Sequence, residues 1–269
     1  MRQNNGNNHQ QQRTANNGAK SKGDHHTQQR GRNHVADQQQ RTTNNRRQND
    51  RLRDREVLEE MQELTMISLN IRGFNAAEKQ QAIYDLITES EVHLVCLNET
   101  KLQYPLYLDN FWSQQSMLQR NGGCWTAATK KVKLSLVKAL GTYLCWTRLS
   151  TGSSDIQVLN CYLEPGEQPH LKERAKRVTD IIKDIIKQDA NAALIVCGDF
   201  NNHMPHMLRE LHFLNFSSAI DQRTITHRLG GHLDQIFTRG VEITNALVND
   251  GFDSAVTDHK CIKVSLKLK

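Results

Sequence analysis

The chain has 269 residues, a formal net charge of +6 and a mean hydropathy of −0.68. Residues 1–55 hold 12 Lys and Arg against 4 Asp and Glu and lack Ile, Phe, Trp, Tyr and Cys, which excludes a hydrophobic core there. The sequence contains no run of about 18 apolar residues and no apolar stretch after its first charges, which excludes a membrane-spanning helix and a secretory signal.

We therefore predict a disordered basic tail over 1–55 and a folded domain over 56–269, with no membrane contact. A flexible cationic tail attracts nucleic acid, although a tail that only adds solubility fits the composition equally well. The six cysteines show no metal-binding spacing, and four of them lie in apolar runs, which indicates buried thiols in a reducing compartment. We expect an intracellular, nuclear protein.

The first elements in chain order alternate between helix and strand. Residues 51–64 carry apolar side chains at helical spacing and predict a helix that leads into the domain. Residues 66–73 predict a strand, residues 77–90 an amphipathic helix, and residues 92–100 a strand buried on both faces.

The second half is richer in strands. Four strands are predicted between residues 121 and 163, then a long amphipathic helix over 170–188 and a strand over 191–201. A short helix near 204–212 precedes three strands, written HLDQIF, ITNALV and CIKVSLKLK. Helices that lie between strands predict an α/β or α+β domain in which two packed sheets are covered by helices.

Polar side chains that can bind metal or transfer protons recur where the apolar strands end or begin. Such groups are costly at the ends of buried strands unless they bind a ligand or one another. If these ends meet, they form one pocket whose oxygen ligands suit Mg²⁺ or Mn²⁺ rather than zinc. The residues are Asn70, Glu99, Tyr162, Asp199, Asn201, Asp234, Thr257, Asp258 and His259.

Each of these residues taken alone also has an ordinary structural explanation. Residues 198–201 fit a simple turn, because Asp and Asn favour turns. Asn70 and Glu99 fit capping positions, and Asp258 with His259 fits a surface pair. The order of the whole set, rather than any single member, indicates a functional site.

The order and local sequences resemble the endonuclease/exonuclease/phosphatase superfamily, which includes deoxyribonuclease I, apurinic-site repair endonucleases and the endonuclease domains of non-LTR retrotransposons. The segments SLNIRG, LNET, NCYLEPGE, GDFNNH, LDQIF and TDH follow one another over residues 66–269. The resemblance implies a four-layered sandwich of two mostly antiparallel sheets and a Mg²⁺-dependent phosphodiesterase. NIRG and LNETKL are most similar to retrotransposon enzymes, which implies nicking of DNA to 3′-hydroxyl and 5′-phosphate ends.

The same resemblance implies that Glu99 is the main metal ligand, aided by Asn70 and Asp258. Repair-type apurinic enzymes carry an acidic residue two positions after the first Asn. Arg72 stands there in this chain, which argues against a second metal ion and against a repair role.

The resemblance also implies how the remaining site residues act. Asp199 activates or positions the attacking water, with Asn201 orienting it. His259, oriented by Asp234, contacts the scissile phosphate, which Tyr162 supports. Either Asp199 or His259 can be the general base.

Two other functions remain open from the sequence. One is a phosphatase or ribonuclease of the same fold that acts on another phosphoester. The other is a catalytically inactive nucleic-acid-binding relic, against which the intact set of polar residues argues. The chain is either a piece of a longer retroelement protein or a stand-alone protein.

Overall fold

The computed structural model describes residues 61–89, 91–152, 154–249 and 256–268. The predicted tail over 1–55 and most of the predicted helix over 51–64 lie outside these residues. The end of that helix prediction is wrong, because Glu63 and Leu64 open the first strand. Leu64 pairs with Leu266 and is fully buried, so this segment is a strand of the sheet and not the end of a helix. No helix in the described residues is long and apolar enough to cross a membrane.

Twelve strands and three α-helices make up the described part of the chain. In chain order they are β1 (Glu63–Asn70), α1 (Ala77–Glu89), β2 (Leu94–Asn98), β3 (Phe111–Gln115), β4 (Cys124–Thr129), β5 (Lys133–Leu140), β6 (Leu144–Ser150), β7 (Asp155–Tyr162), α2 (Pro169–Gln188), β8 (Ala193–Asp199), α3 (Met204–Phe213), β9 (Ser217–Ser218), β10 (Asp234–Arg239), β11 (Glu242–Asn249) and β12 (Cys261–Lys267).

The strands form two sheets, as the sequence predicted, and each sheet has six strands. The first sheet has the order β11-β12-β1-β2-β4-β3, and the second has the order β5-β6-β7-β8-β10-β9. Only β1 with β2 and β7 with β8 pair in parallel within the described residues, and each of these pairs is joined through a helix. The predicted mostly antiparallel architecture is therefore confirmed.

Three apolar layers hold the sandwich together. The middle layer lies between the sheets and contains Met66 and Leu94 of the first sheet beside Val158 and Ile195 of the second. Ile83 of α1 packs on the outer face of the first sheet, whereas the apolar stripes of α2 and α3 cover the outer face of the second. All six cysteines are buried free thiols, which agrees with their prediction as buried residues.

The two strands that the sequence reading missed lie at sheet edges. Among the described strands, β3 pairs with β4 alone, and its sequence FWSQQ is partly buried and does not alternate between apolar and polar residues. β9 has two residues and, among the same strands, pairs with β10 alone. An edge strand needs no continuous apolar face, so its sequence carries a weak signal.

A buried amide pair connects the two sheets near the carboxyl ends of their central strands. Asn98 Nδ2 of β2 donates to Asn160 Oδ1 of β7 at 2.6 Å and to the Cys161 carbonyl at 2.8 Å. In return, Asn160 Nδ2 donates to the carbonyls of Leu97 and Trp125 at 3.2 and 3.0 Å. Both side chains are fully buried, so these bonds hold β2 beside β7 without competition from water.

Gly198 lies on β8 directly beside Cys161 of β7. Its φ of +135° is disfavoured for residues that carry a side chain, and a Cβ atom would lie 1.9 Å from the Cys161 carbonyl oxygen. Glycine is therefore required for the parallel strands to stay paired up to Asp199.

We predict that Gly198→Ala lowers the free energy of unfolding by about 3 kcal/mol or more, through backbone strain and a clash with β7. Gly230→Ala is the matched control: its φ is +94°, but nothing lies within 4 Å of the added Cβ, so only strain remains. Urea unfolding of both variants measures the difference. Equal losses would show that the clash is absent.

We also predict that Asn160→Ala lowers the free energy of unfolding by at least about 2 kcal/mol, because Asn98 Nδ2 loses its closest acceptor and two carbonyls lose a donor. Asn245→Ala, at an exposed position of β11, should change it by less than about 0.5 kcal/mol. Urea unfolding of the two variants distinguishes them. A loss no larger in Asn160→Ala than in the control would contradict the role of the amide pair.

Candidate active site

The strand topology brings the predicted polar residues to one edge of the sandwich. Asn70 and Glu99 stand at the ends of parallel strands β1 and β2, and Tyr162 and Asp199 end parallel strands β7 and β8. Asp234 opens β10, which runs antiparallel to β8 and pairs with Asp199. His259 precedes β12, which runs antiparallel to β1, so it reaches the same edge.

Asn70 is the central residue of this edge. Its Nδ2 atom donates to Glu99 Oε2 at 3.0 Å and to Asp199 Oδ2 at 2.8 Å, so it joins a carboxylate of each sheet. Its Oδ1 atom accepts a hydrogen bond from the Arg72 backbone at 2.9 Å. The side chain is fully buried, and these bonds hold it in one orientation.

Glu99 is held in an unusual backbone conformation, with a φ of +51°. Its carboxylate is 19% exposed, which leaves it open to a ligand, and Oε1 lies 2.6 Å from Lys101 Nζ. Lys101 is a cation, so Glu99 Oε1 already has a positively charged partner.

Asp199 is buried, and both of its oxygens accept hydrogen bonds. Oδ1 accepts from the Asn201 backbone at 2.9 Å, and Oδ2 accepts from Asn70. Burial and the neighbouring charge of Asp234 raise the pKa of Asp199 to about 8. Asn201 itself has a φ of +46° and donates through Nδ2 to the Leu163 carbonyl at 3.1 Å.

His259 and Asp234 form a buried pair in which Nδ1 lies 2.8 Å from Asp234 Oδ2. Burial lowers the pKa of the imidazole, but the hydrogen bond and the charges of Asp234 and Asp199 outweigh it and raise the pKa to about 9. The ring is therefore charged at neutral pH. Its Nε2 atom faces Asp199 Oδ2 across 4.0 Å.

Tyr162 lies beside Asp199 in the register of β7 and β8 and packs against Cys124 and Cys145. Burial, with the charges of Glu99 and Asp199, raises the pKa of its phenol well above the ordinary value. The phenol stays protonated near neutrality and is therefore a hydrogen-bond donor.

Asp258 lies at the rim of this site, and one of its oxygens is shared by two positively polarised groups. Oδ2 lies 2.9 Å from Arg72 Nη1 and 3.5 Å from His227 Nε2. Its predicted role as a metal ligand stays a prediction. Thr257, which precedes it, donates through Oγ1 to the Asn70 carbonyl at 2.6 Å and so holds this segment against β1.

Thr226 and His227 belong to the site, but the sequence analysis did not predict them as site residues. Thr226 Oγ1 accepts from the backbone of Leu233 and Asp234 at 2.9 and 3.1 Å, which fixes the start of β10. The His227 ring stands edge-on to His259, with centroids 4.7 Å apart. Neither residue follows a strand, so the strand-end signal does not reach them.

His227, Asp258 and His259 each offer one ligand atom within 4.8 Å of the others. The Leu229 backbone donates to His227 Nδ1 at 3.2 Å, so the neutral ring carries its proton on Nε2. A protonated ring nitrogen is a hydrogen-bond donor and not a metal ligand, so this trio does not favour a metal ion.

Comparison with known proteins assigns the chain to a family. A model of the endonuclease/exonuclease/phosphatase family matches residues 67–259, and the chain belongs to this family, whose members hydrolyse phosphoester bonds. No curated protein matches the sequence.

Solved structures share the fold at low sequence identity. The endonuclease domain of TRAS1, a telomere-specific non-LTR retrotransposon, is 14% identical with a TM-score of 0.61, covering 77% of this chain and 99% of that domain. An endonuclease/exonuclease/phosphatase from Bacteroides vulgatus is 13% identical with a TM-score of 0.62, covering 78% and 100%. The AP endonuclease LMAP from Leishmania major is 14% identical with a TM-score of 0.59, covering 77% and 89%.

We predict that Asp234→Asn lowers the pKa of His259 from about 9 toward its ordinary value near 6.5, because the variant removes the anion bonded to Nδ1. The imidazole would then lose its charge at a lower pH than in the wild type. NMR titration of the ring protons in metal-free protein measures this pKa.

Asp221→Asn is the control, since Asp221 is an exposed carboxylate paired with Arg223 and should leave the His259 pKa unchanged. A His259 pKa that stays near 9 in Asp234→Asn would assign the charge of the imidazole to Asp199 instead.

Proposed function

We propose that the chain is a metal-dependent endonuclease that nicks DNA, in the manner of retrotransposon endonucleases, and leaves 3′-hydroxyl and 5′-phosphate ends. One observation carries the proposal. The hydrogen-bonded series Glu99–Asn70–Asp199 lies beside the charged pair Asp234–His259. Fixed acceptors that can orient a water molecule thus stand next to a cation that can bind a phosphate.

The family implies a divalent metal ion, and the donor groups fit one. Glu99 is partly exposed and already pairs with a cation, and Asn70 Oδ1 keeps a second lone pair beside its bond to Arg72. Oxygen donors of this kind favour Mg²⁺ and also accept Mn²⁺. Glu99 and Asn70 would hold the ion. When bound, it supplies positive charge to the phosphate as negative charge develops there.

In this proposal Asp199 acts on the attacking water, and Asn201 orients that water. The two hydrogen bonds to Asp199 fix its carboxylate, which can accept a proton from water in line with the phosphorus atom. Asp234 keeps His259 protonated, so we assign the base to Asp199, which can act once its carboxyl group is ionised, at or above its pKa of about 8.

His259 and Tyr162 supply donors to the phosphate. In the described residues, His259 Nε2 has no hydrogen-bond acceptor, and Asp234 holds the ring in orientation through Nδ1. A fixed imidazolium in a buried setting stabilises developing negative charge better than a mobile one in water does. The protonated phenol of Tyr162 can add a second donor.

The similar proteins support DNA as the proposed substrate, since the solved structures include the TRAS1 endonuclease domain and AP endonucleases. The residues NIRG and LNETKL agree with retrotransposon enzymes. We include in the proposal a nuclear location and attraction of DNA by the basic residues 1–55.

We predict that the purified chain converts supercoiled plasmid to open circles with Mg²⁺ and not with EDTA. Glu99→Gln and His259→Ala should each slow nicking by at least about 10²-fold, because each removes charge that stabilises the transition state. DNA ligase should reseal the nicks, which requires 3′-hydroxyl and 5′-phosphate ends.

The matched control is Glu210→Gln on α3. Glu210 also pairs with a lysine, Lys183, at 2.8 Å and has a side chain 23% exposed, but it lies outside the site. It should nick at the wild-type rate. A folded wild type that does not nick plasmid would overturn the DNA endonuclease. Hydrolysis of another phosphoester that still depends on Glu99 would then identify a phosphatase or ribonuclease.

A further inference from the structure

Arg72 stands two residues after Asn70, and its backbone is fixed from both sides. Its N–H donates to Asn70 Oδ1, and its carbonyl accepts from Lys79 Nζ, which also bonds the Ile71 carbonyl at 2.9 Å. Its φ is +51°, a conformation that arginine adopts only at a cost. The loop therefore holds Arg72 at a set position above the site.

The guanidinium group of Arg72 is anchored at one end and free at the other. Nη1 donates to Asp258 Oδ2 at 2.9 Å, while 60% of the side chain is exposed. Guanidinium carries several N–H donors in a planar fork that matches a phosphate group. Within the described residues, Nη1 to Asp258 is the one side-chain hydrogen bond of Arg72, so the other donors face solvent.

Arg72, Lys79 and Lys101 are cations of the segments that follow β1 and β2, and they differ in what remains available to a substrate. Lys101 is paired with Glu99, and Lys79 is bound to two backbone carbonyls. Arg72 alone among these three keeps a largely exposed charged group. An ion pair this exposed contributes little to stability, so it does more to place the guanidinium than to hold the fold.

The orientation of Asp258 agrees with a role in placing the guanidinium group of Arg72. Its Oδ2 atom faces Arg72 and the protonated Nε2 of His227. The backbone of Arg228 donates to the Asp258 carbonyl at 2.8 Å, and His227 pairs with His259 as an isolated bridge. The loop that carries His227 thus holds Asp258 as the partner of Arg72.

We propose that Arg72 binds a phosphate of the substrate strand next to the scissile phosphate, and that Asp258 positions Arg72 instead of binding the metal ion. The inference rests on the proposed endonuclease function. In this proposal Arg72 and its partner Asp258 occupy the rim of the site in place of a second metal ion.

The first test measures DNA binding without metal. The full-length chain is titrated onto a short fluorescein-labelled duplex in EDTA at a series of NaCl concentrations. Arg72→Gln should weaken binding and reduce the slope of log Kd against log salt concentration by about 0.9, the value for one lost phosphate contact. Arg72→Lys keeps the charge and should retain the slope.

Arg209→Gln is the matched control. The Arg209 side chain is 72% exposed, and its Nε atom lies 3.5 Å from Glu210 Oε1 on α3, outside the site. The slope of log Kd against log salt concentration for Arg209→Gln should therefore equal the wild-type slope. If Arg72→Gln keeps the full slope, or if Arg209→Gln loses as much, the role of Arg72 is overturned while plasmid nicking still supports the endonuclease. If wild type shows no salt-dependent binding, the DNA substrate is wrong and this inference falls with it.

The second test measures Mn²⁺ binding to the protein alone, by electron paramagnetic resonance. Asp258→Asn should bind Mn²⁺ as the wild type does, whereas Glu99→Gln should bind at least about tenfold more weakly. Equal weakening in both variants would make Asp258 a metal ligand and overturn its assignment as the partner of Arg72.

Discussion

The arrangement of the whole site depends on the buried amide pair of Asn98 and Asn160. Apolar packing between two sheets is non-directional, so it alone tolerates a shift of one sheet over the other. The Nδ2 donors of both amides are sealed from water and must keep their hydrogen bonds, and that requirement fixes β2 against β7. Because the pair lies next to Glu99 and Tyr162, it sets the distance between the polar ends of both sheets. Gly198 serves the same end by letting β8 approach β7 closely.

Besides Asp258 at the rim, three carboxylates of the described residues lie at this edge, and the surrounding groups compensate for their charge in different ways. Glu99 is partly exposed and pairs with Lys101, Asp199 is buried between amide donors, and Asp234 is paired with His259. Repulsion between buried carboxylates is costly. A protonated imidazole between two of them lowers that cost, and its Nε2 donor has no hydrogen-bond acceptor among the described residues. The same electrostatic balance therefore stabilises the fold and prepares the site.

Membership of the family accounts for the two sheets and the phosphoester chemistry, but not for the substrate. Identities of 13–14% to the solved structures establish the shared fold alone. Substrate choice depends on the rim, where the side chains come from loops. In this chain the rim carries Arg72 held by Asp258, with His227 beside them. The proposal for the substrate strand therefore comes from these contacts and not from the fold.

The sandwich and the polar strand ends were predictable from the sequence, because burial imposes apolar runs on central strands and amphipathic stripes on α1 and α2. A polar residue that closes such a run is visible in one sequence, as Asn70 and Asp199 are. Which of these residues contact one another depends on the packing of the two sheets. Edge strand β3, the support of Asp234 by Thr226 and the bond from Arg72 to Asp258 left no local pattern. Arg72 and Asp258 are 186 residues apart, and chain reversals across both sheets create their contact. Local sequence records how a segment is buried, whereas the pairing of distant side chains depends on how the sheets are stacked.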